Sequence, residues 1–276
     1  MSGVPEVVFL AIPGRGQRLM LHHRPATRTA RGAVVYVHPL AEEMNKSRRM
    51  AALQARAYAN AGYAVLQIDL LGCGDSSGDF GDASWEDWVC DVVAAVRWLR
   101  GRHDAPLTIW GLRAGCLIAA EAARRIDDVS GFLFWQPTTS GKVVLQQLLR
   151  LRLAAEMQGS SAKAVMESMR NQLAAGNSVE VSGYRLSPAL AAGIGRAVLT
   201  PPVAPCRVTW LEVSTRDDAA LLPASVTEIA HWEKAGCLVR AAVTRGASFW
   251  QTAEIEEAPA LIDATLAAAC LDQVAA

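Results

Sequence analysis

Trp110-Gly111-Leu112-Arg113-Ala114-Gly115 closes the apolar run that begins at Leu107 and opens a helical pattern that continues to Arg125. Two glycines four positions apart, set between a strand and a helix, form the frame of a sharp turn. In its Gly-x-Ser-x-Gly version, that turn lifts a nucleophile above the end of a sheet. Here the tip is Arg113, which has no nucleophilic oxygen or sulfur and stays cationic at any relevant pH. Ordinary acyl-enzyme chemistry at this tip is excluded by residue type alone.

Working outward, short β-branched runs alternate with longer helical patterns. Val7 to Ile12 and Leu19 to His23 flank Pro13-Gly14-Arg15-Gly16 and predict a hairpin. Strand patterns follow at Ala33 to His38, Tyr63 to Asp69, Leu107 to Trp110 and Val129 to Trp135. Helical patterns fall between them at Lys46 to Ala61, Ser84 to Arg100 and Ala114 to Arg125. Ser84-x-x-Asp87 supplies a helix start. Such alternation, with strands apolar on both faces, means a parallel sheet with crossover helices. From Thr138 to about Pro202 the rhythm becomes helical, with Lys142 to Gln158, Ser161 to Ala175 and Pro188 to Val198 around an extended piece, Val179 to Leu186. The strand and helix patterns then resume at Cys206 to Val213, Leu238 to Val243 and Ile255 to Cys270. The expected organisation is a core of residues 1–137 and 203–276, with residues 138–202 as a mainly helical cap. A cap in this place covers the carboxyl ends of the strands, where open α/β sheets bind their ligands.

Composition narrows the function. Twenty-seven basic residues balance 27 acidic ones, so no global field draws the chain to nucleic acid or to an anionic membrane. Six cysteines without C-x-x-C spacing argue for reduced thiols, and neither a metal-ligand cluster nor a cofactor motif is read. The N-terminus enters its first strand without a secretory pattern, and no uncharged apolar run reaches the roughly 18 to 20 residues that span a bilayer. A cytoplasmic location is expected.

Two further loops stand where the elbow would need them. Strand Val34 to Val37 runs into His38-Pro39-Leu40, the place of the first oxyanion-hole amide, and Asp69-Leu-Leu-Gly72-Cys-Gly74-Asp-Ser76 follows the next strand. The acid position, after the strand ending near Val213, can be filled by Asp217 or Asp218. The histidine position falls at Ser248, in Gly246-Ala247-Ser248-Phe249-Trp250, and no histidine follows His231. Other chemistry was weighed at Cys73, in a Gly-rich loop, at His38, and at Glu42 and Glu43. Cys116 reads as core, as do Trp135, Trp232, Phe249 and Trp250, although Trp135 ends a strand and is a candidate to line a pocket.

An elbow residue is held near positive φ at a cost on the order of 1 to 3 kcal/mol for a non-glycine. A long cation kept there beside a helix N-terminus and the amides of Leu40 and Ala114 makes an anion site. The competing expectation is an internal ion pair of Arg113 with Asp217, Asp218 or Glu42.

At these residues the sequence resembles a known group. His38-Pro39-Leu40-Ala-Glu42-Glu43-Met-Asn45-Lys46-Ser-Arg48-Arg49, the Gly111 to Gly115 elbow, Trp135-Gln136-Pro137, Gln147-Leu-Leu-Arg150-Leu-Arg152 and Phe249-Trp250 look like the exosortase A system-associated hydrolase 2 group of the α/β-hydrolase superfamily. The resemblance covers nearly the whole chain. It implies an α/β-hydrolase fold, with a mostly parallel eight-stranded sheet flanked by helices and a helical cap. It also implies a cytoplasmic protein of a bacterial exopolysaccharide context that handles an acyl, ester or glycan-linked intermediate. Two classes stay open. One is a catalytically silent protein that holds a small anionic or acyl ligand through Leu40, Glu42, Glu43, Arg113, Ala114 and Trp135. The other is an esterase or thioesterase with an unconventional set around His38, Glu42 and Arg113. The basic, amphipathic cap helix from Lys142 reads first as packing with a solvated face. It is also where an acidic partner such as an acyl carrier protein would be steered.

Overall fold

Alternating exposure along the first strand and complete burial along the third set the layout of the sheet, from a solvated edge inward. The structure is a computed structural model that describes residues 3–155 and 162–274. The hairpin β1 (Glu6–Ala11) and β2 (Gln17–His23) leads to β3 (Ala33–Val37), α1 (Glu42–Asn60), β4 (Ala64–Ile68), α2 (Trp85–Arg100), β5 (Leu107–Leu112), α3 (Gly115–Ala123) and β6 (Val129–Trp135). The insertion holds α4 (Gly141–Ala155), α5 (Ala162–Ala174), the hairpin β7 (Val179–Val181) and β8 (Tyr184–Leu186), and α6 (Pro188–Arg196). The core then finishes with β9 (Arg207–Ser214), α7 (Pro223–Lys234), β10 (Leu238–Arg245) and α8 (Pro259–Val274).

Eight strands form one sheet in the order β1-β2-β4-β3-β5-β6-β9-β10. The pairings β1–β2 and β2–β4 are antiparallel, and every pairing from β4 through β3, β5, β6 and β9 to β10 is parallel. After β3 the chain steps to one side to make β4, then returns to the other side of β3 to make β5. The strand order therefore reverses between β3 and β5, and a crevice opens there beyond their carboxyl ends.

The sheet is covered on both faces. Helices α2 and α3 bury one face around Trp88, Phe132, Phe134, Trp210 and Trp232, and α1 and α8 bury the other around Tyr36, Trp110, Trp135 and Phe249. On that second face an aromatic chain crosses the strands. Ring centroids lie 4.2 Å apart from Tyr36 to Trp110, 4.6 Å from Trp110 to Trp135, 6.2 Å from Trp135 to Phe249 and 5.1 Å from Phe249 to Trp250. The loop after β10 is thereby fixed against the core.

The insertion leaves and rejoins the core through a narrow neck. Ser140 bridges to Val198, Gly141 N–H donates to the Ala197 carbonyl at 2.9 Å, and Leu199 N–H donates to the Thr139 carbonyl at 3.0 Å. Several bounds differ from the sequence expectation for physical reasons. Helix α1 begins at Glu42 rather than Lys46, because two carboxylates favour a helix first turn before apolar periodicity sets in. Helix α7 was not foreseen, since few of its residues are buried and Trp232 is its main anchor. Helix α8 starts at Pro259 rather than Ile255, where proline's fixed φ suits a first helical position. The expected helix ends at Gln158 and Ser161 lie outside the described residues.

The Ser84 start of α2 forms as expected. Its hydroxyl accepts from Asp87 N–H at 3.2 Å, while Ser84 N–H donates to the Asp87 carboxylate at 3.0 Å. Ser84→Ala is expected to cost about 1 kcal/mol, read as a shift in the urea midpoint.

Candidate functional site

The elbow forms, and its glycines are required by close approach. A Cβ at Gly111 would lie 2.7 Å from the Cys116 backbone, and one at Gly115 would collide with the carbonyl oxygens of Val37, which ends β3, and of His38, which follows it. Between them Arg113 takes φ 54°, its N–H donating to the Trp135 carbonyl at 3.0 Å. Two more non-glycine residues in the left-handed region stand at neighbouring strand ends, Ala41 (φ 52°) after β3 and Gln136 (φ 42°) after β6. Gln136 is held there by its N–H on the Leu211 carbonyl at 2.7 Å and by Val213 N–H on its side-chain oxygen at 2.8 Å. Strain of this kind survives only where surroundings over-determine it, and these three residues share one end of the sheet, whereas the other two among the described residues, Asp128 before β6 and Ser182 in the β7–β8 turn, lie elsewhere.

A cavity of about 340 Å³ occupies that end, at the reversal between β3 and β5. Leu40, Ala41, Glu43 and Lys46 line it from the β3–α1 side, Arg113 and Ala114 from the elbow. Val144, Gln147, Leu148, Arg150 and Leu151 of α4 form the roof, and Trp250 and Gln251 close the side. The Arg113 side chain is only 14% exposed. Its Nε donates to Glu43 Oε1 at 3.3 Å, an NH2 donates to Gln147 Oε1 at 3.3 Å, and its guanidinium carbon lies 5.6 Å from the centre of the Trp250 ring. Burial pushes the Glu43 carboxyl above the usual carboxylate range, and the neighbouring Arg113 pulls it back down.

Leu40 and Ala114 line the same cavity, and among the described residues neither backbone N–H meets an acceptor. Two free amides, the start of α3 and a fixed guanidinium make a place for negative charge or for a polarised carbonyl.

A family model described as serine aminopeptidase, S33 matches residues 28–192, more than half of the chain. The chain belongs to this family. No curated protein matches the sequence. Among solved structures, Est1E from Butyrivibrio proteoclasticus with bound ferulic acid is 15% identical over 98% of this chain and 100% of its own, with a TM-score of 0.68. A thermostable carboxyl esterase from Bacillus coagulans, in complex with glycerol, is 17% identical over 89% of this chain and 91% of its own, with a TM-score of 0.62. Mouse α/β-hydrolase domain-containing protein 10 is 13% identical over 98% and 99%, with a TM-score of 0.58. These likenesses show the fold, which is the α/β-hydrolase fold.

The serine aminopeptidase S33 family is named for a serine, and this member presents Arg113 at its elbow. The other expected site residues fall in three groups. Leu40, Glu42, Glu43, Arg113 and Ala114 come together around the cavity. Glu42, however, turns to the cap, where the Tyr184 hydroxyl donates to it at 3.0 Å. The ion-pair partner of Arg113 is therefore Glu43, one residue further along α1, and neither Glu42 nor the aspartates of the loop after β9. Asp217 pairs with Arg245 at 2.9 Å and Asp218 with Arg216 at 3.0 Å, both in solvent. Nor does Ser248 line the cavity, which its loop reaches through Trp250 and Gln251.

Trp135 is fully buried and donates from Nε1 to the Thr265 hydroxyl at 3.0 Å, so it braces the Phe249–Trp250 loop from beneath and does not line the cavity. His38 is committed to the backbone on both nitrogens. Leu70 N–H donates to its Nε2 at 3.2 Å, which leaves the proton on Nδ1 for the Pro39 carbonyl at 2.7 Å. Burial holds its pKa below the ordinary histidine value, so it stays a neutral loop staple rather than a base. Cys73 is buried and its thiol is pushed up to about 12, which removes the thiolate that a nucleophile requires. Cys116 is buried in the core, as expected, with its thiol pushed up in the same way. Among the described residues no three His, Cys, Asp or Glu side chains converge as metal ligands would.

Among the lining residues that sequence reasoning left out of the site are Thr138, Gln147, Trp250 and Gln251. Gln147 and Trp250 are among the residues that carry the family resemblance, and Trp250 reads as core by its residue type. It is indeed 97% buried, yet one face of it meets a cation.

Proposed function

We propose that this chain is an α/β-hydrolase-fold binding protein, which holds a small anionic acyl or carbonyl-bearing ligand at Arg113 and does not turn over ordinary esters. The observation that carries this is Arg113 itself: a largely covered cation, 14% exposed, kept in a strained left-handed conformation at the reversal of the sheet, where the same cavity also holds two unpartnered amides. A decayed elbow with no task would relax to glycine or asparagine, which tolerate this φ far better. The chain has no histidine beyond His231, His38 is committed to the backbone, and Asp217 and Asp218 point to solvent. The Ser-His-Asp roles are accordingly vacant in this reading.

The assignment to the exosortase-associated group, a cytoplasmic location and an acyl carrier protein as partner belong to the same proposal. Their support is the resemblance at His38 to Arg49, the elbow and the Gln147 to Arg152 stretch, together with the exposed Lys142 and Arg150 of α4. A fluorophosphonate probe is expected to label no residue of the cavity, and short-chain aryl esters are expected to be hydrolysed at the buffer rate. Labelling or turnover that disappears with a single Ser→Ala change would overturn the binding reading in favour of an esterase.

A further inference from the structure

We infer that Glu43 is the resident occupant of the anion subsite, and that an incoming monocarboxylate replaces it on Arg113 while Glu43 takes up one proton. The inference rests on the anion-binding reading of the cavity and adds to it the ligand class and the proton. Written out, the carboxylate ligand, the Glu43–Arg113 ion pair and one proton give the ligand–Arg113 ion pair and a neutral Glu43. Charge is conserved, and no covalent bond other than the O–H on Glu43 is formed.

The geometry shows a pair built to be exchanged. Charge-assisted bonds from Arg to carboxylate settle near about 2.7 to 2.9 Å and are often two-pronged. Arg113 instead makes a single 3.3 Å contact to Glu43 and spends another N–H on Gln147, also at 3.3 Å. The two partners of Arg113 thus reach it through long contacts, Glu43 from α1 and Gln147 from α4, and the Trp250 ring lies beside them with its centre 5.6 Å from the guanidinium carbon. A ligand carboxylate can take a shorter, two-pronged place on the same guanidinium. Leu40, Val144, Leu148, Leu151 and Trp250 give the wall an apolar share that suits a short acyl chain behind the carboxylate, beside the polar Lys46, Thr138, Arg150 and Gln251.

Displacement leaves Glu43 without its cation in a partly buried place. The charged groups around it are Glu42 and Lys46 on its own helix, Arg113 on the elbow and Arg150 on α4, while the Trp250–Gln251 side brings none. Burial already raises the Glu43 pKa, and Arg113 is the influence that lowers it. Once Arg113 is taken, that influence is cancelled and the ligand's own negative charge raises the pKa further. The complex then binds more protons than the free protein, so affinity rises as pH falls through the interval between the two Glu43 pKa values.

The test is titration calorimetry of octanoate against the whole chain, in buffers of different ionisation enthalpy, at several pH values from about 6 to about 8. The expected result is net proton uptake on binding, with affinity rising by up to about tenfold per pH unit as pH falls. Glu43→Gln is expected to abolish both the uptake and the pH dependence and to tighten binding about tenfold at the upper end of the range, because the competing charge is gone. Octanoate binding without uptake at any pH, or uptake that persists in Glu43→Gln, overturns the proton exchange and leaves the anion site standing. Failure of octanoate to bind either protein overturns the anion-binding reading itself.

Discussion

Replacing Arg113 with alanine is expected to weaken the proposed octanoate binding by about ten- to a hundredfold, because hydrogen bonds to a charged group contribute roughly 1.5 to 3 kcal/mol and each 1.4 kcal/mol is a factor of ten. The Arg113 side chain is 14% exposed and lies within reach of Glu43, Gln147 and the Trp250 ring, so alanine removes the cation that the elbow itself supplies to the cavity. Arg113→Lys retains the charge but loses the planar fork, and is expected to fall between wild type and alanine. A second comparison separates binding from strain. Residue 113 sits at φ 54°, so Arg113→Gly is expected to bind octanoate as poorly as Arg113→Ala while being about 1 kcal/mol more stable, since only the alanine keeps a Cβ in the left-handed region. Octanoate affinity unchanged in Arg113→Ala, measured by calorimetry, would remove the anion site from this end of the sheet.

The architecture was legible because it is written in periodicity. Continuous apolar runs such as Ala33 to Val37 can be satisfied only by strands buried on both faces, and a Gly frame between such a strand and a helix locates the elbow without any knowledge of its neighbours. The wiring of the site was less legible, for reasons of angle. Glu42 and Glu43 are adjacent in sequence, but successive helix residues diverge by about 100°. One therefore faces Tyr184 in the cap and the other Arg113, and no residue-type argument chooses between them. Asp217 and Asp218 failed in the same manner: the acid position exists in the chain, yet each carboxylate has a nearer arginine in solvent, Arg245 and Arg216. Trp135 and Trp250 exchanged expected roles because both are aromatic and both are buried. Both lie on the same face of the sheet, and what distinguishes them is that Trp135 ends β6 beneath Phe249 while the loop after β10 carries Trp250 on to the cavity.

The strain pattern links fold to function more firmly than residue identity does. Ala41, Arg113 and Gln136 follow β3, β5 and β6, adjacent strands around the reversal, and all three hold positive φ. Each costs stability that an ordinary turn would not. Ala41 precedes α1, whose first turn carries Glu43, Arg113 is the cation, and Gln136 ties β6 to β9. One consequence is that the cavity's geometry is fixed by backbone, so a ligand meets a preformed site rather than one assembled on binding.

That backbone control makes Gly115→Ala the more damaging of two formally identical substitutions. A Cβ at Gly115 would be driven into the carbonyl oxygens of Val37 and His38, which belong to the central strand and its outgoing loop and cannot rotate aside. The intrinsic gain of alanine over glycine in a helix is about 1 kcal/mol, and the overpacking cost is on the order of 3 kcal/mol, so the net expectation is a loss of about 2 kcal/mol or more. Gly101→Ala supplies the contrast. That residue has φ −64°, and its added Cβ would meet the carbonyl oxygens of Arg97 and Trp98 at 3.5 Å, an ordinary contact. Its stability is expected to stay within about 0.5 kcal/mol of wild type in urea unfolding. Because α3 can escape the Gly115 clash only by backing away from β3, it must take the Ala114 amide with it. Gly115→Ala protein that still folds is therefore expected to bind octanoate several-fold more weakly although Arg113 is intact. Equal stability of the two alanine variants would mean that the elbow is not pressed against β3, and the preformed site would lose its foundation.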